Sequence, residues 1–377
     1  MNSNSSLHEI AQILRQQSDR LLQFQVVAGF DGFVDEIISV VQERSDLNTW
    51  SAVRDISSFG DLIKAAAGRS SLREIVVHRA DPGGCAVNLG DGLIALGAQL
   101  DCFATLGKPR HAAFEHFAAQ CQNCYSWGRE PGRTLAFEFS DGKLMFSAVT
   151  QLAEFDELML INVLKDGTYT RACEKAHLIA LTDWTLYPHM TGCWRKLQKE
   201  VYSKLKHKPF LFIDIVDPSS RSIEDIRTMM ETLSGFEESC MTVLGLNGNE
   251  ANVLAKVAGI PMAGDNPEQV LSQTNHLRDH LNISQIVVHC QKFACFADRT
   301  QSATVSGPYC PNPKKSTGAG DRFNAGYCCG LFLGMSPEKT MLLASAASGY
   351  FVRHAKSASV PALADFIQQW AENKLEN

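Results

Sequence analysis

A mixed α/β fold is what this sequence predicts: a mostly parallel sheet with helices on both faces, plus a small β-sheet beside it. Three observations predict it. Short β-branched runs alternate with amphipathic helical stretches along most of the chain, and such βαβα order joins parallel strands through helical crossovers. The chain has 377 residues, 45% of them hydrophobic, enough for a sizeable core. Two β-rich segments break the alternation, which sets a second sheet apart from the first.

In chain order, Val26-Val27-Ala28-Gly29-Phe30 reads as a buried strand. Cys85 to Leu96 has helical period, and Leu100 to Thr105 is strand-like. The pattern resumes with a strand at His177–Leu181, a helix near Met190–Leu205 and a strand at Phe210–Ile215. A helix over Ile223–Leu233, a strand over Met241–Leu244 and a helix from Asn249 to Val257 come next. Ile286–His289 is a further strand, and two helices follow between Gly318 and Arg353. This is a Rossmann-like arrangement. Of the two irregular segments, Arg73–Arg79 is β-branched in the middle. The other places Ser140-Asp141-Gly142 between Thr134–Phe139 and Lys143–Phe146. Asp-Gly between alternating runs is a hairpin signal whose turn residues take positive φ. A single α/β domain over 1–377 is expected, with lid strands from about 34–45, 73–80 and 133–149.

Composition excludes several classes. Lys plus Arg number 35 and Asp plus Glu 41, a net charge of −6, which lacks the basic bias of a phosphate-backbone binder. The first residues, MNSNSSLHEI, have neither a basic start nor an apolar core of signal-peptide length. No stretch is long and apolar enough for a membrane helix; the longest uncharged run, Phe323–Pro337, carries Gly, Asn, Ser and Pro. A cytoplasmic protein is expected. Its 12 cysteines are too dilute for a disulfide scaffold and should stay reduced. Cys121-Gln122-Asn123-Cys124 is a lone CxxC without the second ligand pair that zinc needs, so these read as small buried side chains. His276 and His280 are spaced as helix-borne zinc ligands are, but HLRDH is so polar that a solvated helix face is the better reading.

The chemistry concentrates in Ser316-Thr317-Gly318-Ala319-Gly320-Asp321-Arg322-Phe323-Asn324-Ala325-Gly326. Small residues here precede a helical pattern. Gly318, Ala319 and Gly320 can turn sharply and present consecutive N–H groups at a helix N-terminus, where donors and dipole together favour an anion. Asp321 would face that anion, which points to a base beside a transferring phosphoryl group. A Gly-rich helix start with Asp321 as a helix-end residue fits the same spacing.

STGAGDRFNAG resembles the C-terminal signature of the ribokinase-like (phosphofructokinase-B type) carbohydrate and nucleoside kinases. Four partial motifs in the family's order extend the resemblance over roughly Val26 to Pro361. Asp81-Pro82-Gly83-Gly84-Cys85-Ala86-Val87-Asn88 is similar to the motif that contacts substrate hydroxyls through Gly83, Gly84 and Asn88. Gly29-Phe30-Asp31-Gly32-Phe33-Val34-Asp35 is similar to the first strand and its sugar-binding acid, with Asp35 the best match and Asp31 the second. Asn247-Gly248-Asn249-Glu250 matches the NxxE element, which with Thr317 implies organisation of nucleotide and magnesium through water, with no direct protein ligand. Asp217-Pro218-Ser219-Ser220-Arg221 resembles a DPNxR-like turn. The resemblance implies ATP and Mg2+ as cofactors and a small sugar as substrate. Catalysis would use Asp321 as general base and an anion hole at Gly318, Ala319 and Gly320.

Three departures accompany it. Lys315 stands where the family has an Asp that helps hold a monovalent cation; its ammonium is expected to replace that ion, so no monovalent cation should be needed. Gln291-Lys292-Phe293-Ala294 replaces a GxxG element near the nucleotide. Ala346–Arg353 keeps only a general likeness, so adenine contacts are not assigned. The alternatives are a nucleoside kinase of the adenosine kinase kind, with Phe33, Trp50 or Phe137 lining a base pocket, and a catalytically weak sugar-binding or regulatory protein. A nicotinamide-dependent dehydrogenase fares worst, since no GxGxxG follows the first strand. Neither a nucleic-acid nor a membrane partner is expected, and the small sheet is the face through which a homodimer would form.

Overall fold

A run such as Leu178–Thr182, buried at all five residues, satisfies its backbone only by pairing on both sides. In this computed structural model, which describes residues 4–376, such runs assemble into one large sheet. The first strands in chain order are β1 (Gln25–Gly29), β2 (Phe33–Arg44), β3 (Trp50–Ala52) and β4 (Ile75–Gly83). Then come β5 (Gln99–Ala104), β6 (Asn123–Ser126), β7 (Gly132–Phe139) and β8 (Gly142–Ala148). The C-terminal half adds β9 (Leu178–Thr182), β10 (Phe210–Asp214), β11 (Met241–Asn247), β12 (Gln285–His289), β13 (Phe293–Asp298) and β14 (Ser302–Ser306).

The large sheet runs β14-β13-β12-β11-β10-β9-β1-β5-β6. From β12 to β6 every pairing is parallel, while β13 and β14 close the other edge as antiparallel strands. Period-2 alternation sends neighbouring residues to opposite faces. Val26 and Ala28 join one buried layer with Phe323 and Tyr327. Val27 joins the other with Trp194 and Leu254. The expected Rossmann-like arrangement with helices on both faces is therefore present. The N-terminal helix Asn4–Leu21 buries Leu7, Ile10 and Leu14 and reaches the helix Val360–Ala371 through a 2.8 Å Arg15–Asp365 ion pair. Among the described residues no helix is long and apolar enough to cross a membrane.

The second sheet is built on β2, which pairs antiparallel with β3 and β4 and parallel with β7; β8 pairs with β7. The β7–β8 hairpin forms, but its turn is Ser140-Asp141, one residue earlier than Asp-Gly, because Gly142 already pairs with Phe139. Neither turn residue has positive φ. The Asp141 carboxylate instead accepts the Ile56 N–H at 3.0 Å, at the start of the helix Ile56–Ala65. That helix packs Phe59 against Phe137 and Phe139, giving the small sheet its own apolar cluster.

Candidate active site

Parallel strands present their C-terminal ends on one side, and loops there form a crevice. Asp31 follows β1, Asp183 follows β9, Asp214 ends β10, Asn247 ends β11 and His289 ends β12. Over this edge stands the first turn of the helix Ala319–Leu333, with Gly318 as its N-cap at φ +87°, a conformation that side-chain-bearing residues rarely take. Asp321 sits in that turn and is only 7% exposed. Its carboxylate, that of Asp214 and the Cys85 thiol bring atoms within 4.8 Å of one another. Burial, and then the charge of Asp214, push the Asp321 carboxyl up to about 8; Arg322 opposes the rise. Asp214 is itself raised to about 6, chiefly by burial, although Val216 N–H and the Asn324 amide both donate to it.

The structure commits one of the three expected anion-hole donors elsewhere: the Ala319 N–H donates to the Ser316 carbonyl at 3.0 Å within the turn. Thr317 is half-buried on the loop just before. The Asn88 amide lies 3.6 Å from where a Cβ on Gly318 would stand, so the Gly-Gly…Asn segment and the Gly-Ala-Gly turn meet. Gly84, at φ +98°, N-caps the helix Cys85–Ala95. Gly83 lies so close to Asp35 that an added Cβ would overlap its carboxylate. Burial raises the Asp35 carboxyl, opposed by a hydrogen bond from Thr134 and by the charges of Lys143 and Lys315.

Asp31 is used differently from the sequence expectation. It is fully buried and accepts from Cys85 N (2.5 Å), Ala86 N (2.9 Å) and the Thr182 hydroxyl (2.5 Å). The short β1–β2 connection tucks it beneath the helix start, where it holds the loop.

Asn247 and Glu250 form a capping box: Asn247 Oδ1 accepts from Glu250 N at 3.0 Å, and Glu250 accepts from Asn247 N at 2.7 Å. The acid is buried, and burial followed by the charge of Asp214 raises its carboxyl to about 8. Asn249 Nδ2 donates to Asp217 at 3.2 Å, tying this element to the turn after β10. Arg221 ends that turn over the Trp184 ring at 4.3 Å, donating to Thr185 and Tyr187 carbonyls, which is an anchoring role.

A cavity of about 1060 Å³ opens beside Gly320, lined by Asn247, His289, Gln291, Phe293, Tyr309 and Val352 among others. The turn reaches its wall through Ser316, Ala319 and Gly320, whereas Asp35, Gly83, Asn88 and Asp321 are not among the residues that line it. The glycine-free segment after β12 still turns tightly, with Cys290 N–H on the Phe293 carbonyl at 2.8 Å, and its bulk leaves the cavity open. Lys315 holds its ammonium 5.7 Å from the centre of the Phe351 ring. Of the aromatics expected around a nucleobase, Phe137 is spent in the small sheet's own cluster and Trp50 neighbours His78. Phe33 is buried against Gly132.

Sequence reasoning passed over Asp183 and Asp214. The signal was present: each is an acid placed directly after a buried strand, in LIALTD and FLFID, at the edge where such sheets bind ligands.

Comparisons with known proteins give the family and the fold. The sequence model of the family described as "Khk: Prokaryotic ketohexokinase" matches residues 3–370. A ketohexokinase of Haloferax volcanii is 26% identical over 333 residues, covering 87% of each chain. Among solved structures, ribokinase from Cryptococcus neoformans in complex with ADP superposes with a TM-score of 0.62 at 14% identity, covering 93% of this chain and 98% of that one. Ribokinase from Thermotoga maritima gives 0.59 at 14% identity, with coverages of 93% and 98%. Adenosine kinase from Sinorhizobium meliloti gives 0.60 at 14% identity, with 92% and 99%. At such identities these structural likenesses establish the fold.

Proposed function

The chain belongs to the prokaryotic ketohexokinase family and is a carbohydrate kinase; from that premise we propose that it moves the γ-phosphoryl group of ATP to a hydroxyl of a small sugar, with a ketohexose the first substrate to try. The observation that carries this reading is the position of Asp321, buried in the first turn of its helix, where the preceding Gly318 meets Asn88 and Gly320 lines the cavity.

In this mechanism the sugar sits against Asp35, Gly83 and Asn88, whose carboxylate, N–H and amide groups suit vicinal hydroxyls. The polyphosphate enters the cavity beside Gly320. Asp321 takes the proton of the attacking hydroxyl as its oxygen approaches the γ-phosphorus in line, giving ADP and a sugar phosphate. General-base help of this kind is worth about 10²–10⁴-fold in rate. Backbone N–H groups of Gly318 and Gly320, reinforced by the helix dipole, face the charge on the transferring oxygens. The carboxylate and amide oxygens of Asn247, Glu250 and Asp217 suit a hard cation held through its own waters, and the raised Glu250 carboxyl is a group that a nearby positive charge would relieve. Magnesium bound with the nucleotide supplies charge neutralisation there. The small sheet carries Asp35 and Thr134 on neighbouring strands, so its approach would bring sugar ligands in while excluding water.

The test is ADP release measured against a panel of ketohexoses, aldoses and adenosine, with ATP and magnesium fixed. Ketohexose-dependent ADP production, absent in Asp321→Asn, is expected. A preference for adenosine, or ADP release that ignores the sugar, overturns the reading.

A further inference from the structure

The fold places one cysteine against the two acids that stand over the cleft. Cys85 opens the helix Cys85–Ala95, where its N–H donates to Asp31 at 2.5 Å and pins its backbone. Asp214 ends β10, and Asp321 lies in the first turn of the helix Ala319–Leu333. The Cys85 sulfur and one oxygen of each acid lie within 4.8 Å of one another, and among the described residues they are the one group of three such ligand atoms.

The surroundings leave this trio short of partners. Asp321, only 7% exposed, accepts no hydrogen bond from an N–H or hydroxyl of the described residues. Arg322, the cation beside it, is turned to Asp91 at 2.6 Å and to the Ser357 hydroxyl at 3.1 Å. Asn324, 1% exposed, gives its amide N–H to Asp214 at 2.7 Å, while its own Oδ1 has no partner. Buried oxygens with unused lone pairs are costly, and a bound cation satisfies them. Asp214 is also steadied by the Val216 N–H at 3.0 Å, so one ligand is already oriented by its neighbours.

We propose that Cys85, Asp214 and Asp321 form a binding site for a thiophilic divalent cation of the zinc class, which silences the enzyme by occupying the oxygen of Asp321 that would take the sugar's proton. The silencing rests on the base role proposed above; the binding does not. One thiolate, two carboxylates and a fourth position left to water make a four-coordinate zinc set, whereas magnesium is a hard cation that prefers oxygen. Bonds of about 2.3 Å to sulfur and about 2.0–2.2 Å to oxygen hold tetrahedral ligands roughly 3.5 Å apart, so side-chain rotations of about an ångström close the set. The metal–sulfur bond forms as the thiol proton leaves to solvent. Cys85 and Asp214 are half-buried, which gives an ion a way in. None of the three lines the large cavity, so ion and nucleotide do not share these ligands.

The experiment titrates the whole reduced chain with Co2+, which takes zinc's ligands and shows a near-ultraviolet thiolate-to-cobalt charge-transfer band. One bound equivalent with that band is expected, displaced by Zn2+ and indifferent to excess Mg2+. Cys85→Ser should abolish the band, and Cys121→Ser with Cys124→Ser should leave it. Asp321→Asn and Asp214→Asn should each weaken cobalt binding at least about tenfold, since even an outer partner of a metal ligand is worth about 10–100-fold. Circular dichroism checks that each variant folds, and the nearly isosteric Asp321→Asn carries the test where Cys85→Ser does not. With ATP and Mg2+ saturating, Zn2+ should inhibit ADP release in competition with the sugar. No band with cobalt in excess, or a band that survives Cys85→Ser, overturns the site. Zinc inhibition that sugar does not relieve overturns the silencing. Cobalt binding is read without substrate, so its failure is separate from a failure of the kinase reading.

Discussion

Arg322 and Asp91 join the two helices whose first turns make the cleft. Arg322 Nη2 donates to Asp91 Oδ2 at 2.6 Å, and the Ser357 hydroxyl donates to the same oxygen at 2.5 Å. Arg322 immediately follows Asp321, and Asp91 lies one turn beyond Asn88, so this ion pair sets the spacing between Asp321 and Asn88. The Arg322 side chain is 9% exposed and that of Asp91 40%.

Asp91→Ala should therefore destabilise the fold and loosen the site together. Removing one partner of a buried pair costs about 3–5 kcal/mol, but the half-exposed Asp91 end is screened by water, so about 1–3 kcal/mol is expected. Denaturant titration measures the first effect. A rise in sugar KM at saturating ATP measures the second.

Asp321 must be ionised to act as a base, and its carboxyl is pushed up to about 8 by burial and by Asp214. Activity is thus present above that value and lost as pH falls through it. The kcat/KM profile should rise between about pH 6 and 9, far above the range of an ordinary carboxylate near 4. In Asp321→Asn the rise should vanish, with turnover down at least about 10²-fold and sugar binding little changed. A flat profile in the unmutated enzyme would remove Asp321 from the base role.

The same raised carboxyl makes a thermal prediction. Between the unfolded value near 4 and the folded value of about 8, the folded chain keeps a proton that the unfolded chain has released. The group's contribution is fully favourable below pH 4 and is lost as pH rises through 8. Asp321→Asn cannot ionise, so its Tm relative to the unmutated protein should climb by about 2 °C or more from pH 5 to 9, as on the order of 1–2 kcal/mol gives in a long chain. A gap that stays constant across that window would mean that the carboxyl titrates normally.

The alternation of strand and helix, and the segment from Ser316 to Gly326, were legible because period and glycine spacing are local signals. Ile223–Leu233 is a helix over the very residues its periodicity indicates. What local pattern could not carry was the use of a side chain after folding. Asp31 and Asp35 lie four residues apart on one motif. Only the closeness of Cys85 and Ala86 decides that Asp31 caps a helix while Asp35 faces Gly83. The Asp-Gly turn was misplaced by one residue because Gly142 already pairs with Phe139 in the ladder, so that Ser140-Asp141 makes the turn.

Lys315 bears on ion dependence. Its ammonium stands near the Phe351 ring, and its charge acts on Asp35. With a fixed cation in this loop, replacing potassium by tetramethylammonium at constant ionic strength should change kcat by less than about 2-fold; a tenfold change is 1.4 kcal/mol at the transition state, more than a cation without a site can supply. Lys315→Ala should lower activity in both salts. Steep potassium activation of the unmutated enzyme would show that an ion still binds.

Gly83 offers a test confined to the surroundings of Asp35. Its missing side chain leaves room for the Asp35 carboxylate, which a methyl group would displace. Asp35 is hemmed in by Thr134 on β7 and Asp81 on β4, so it can move away only by giving up its place. Gly83→Ala should therefore raise the sugar KM about tenfold or more, the loss of roughly one good charged hydrogen bond. The cavity proposed to take ATP is not lined by Gly83, so the KM for ATP should stay within about 2-fold. Were both KM values to rise in parallel, Asp35 would be acting on the whole cleft rather than on the sugar.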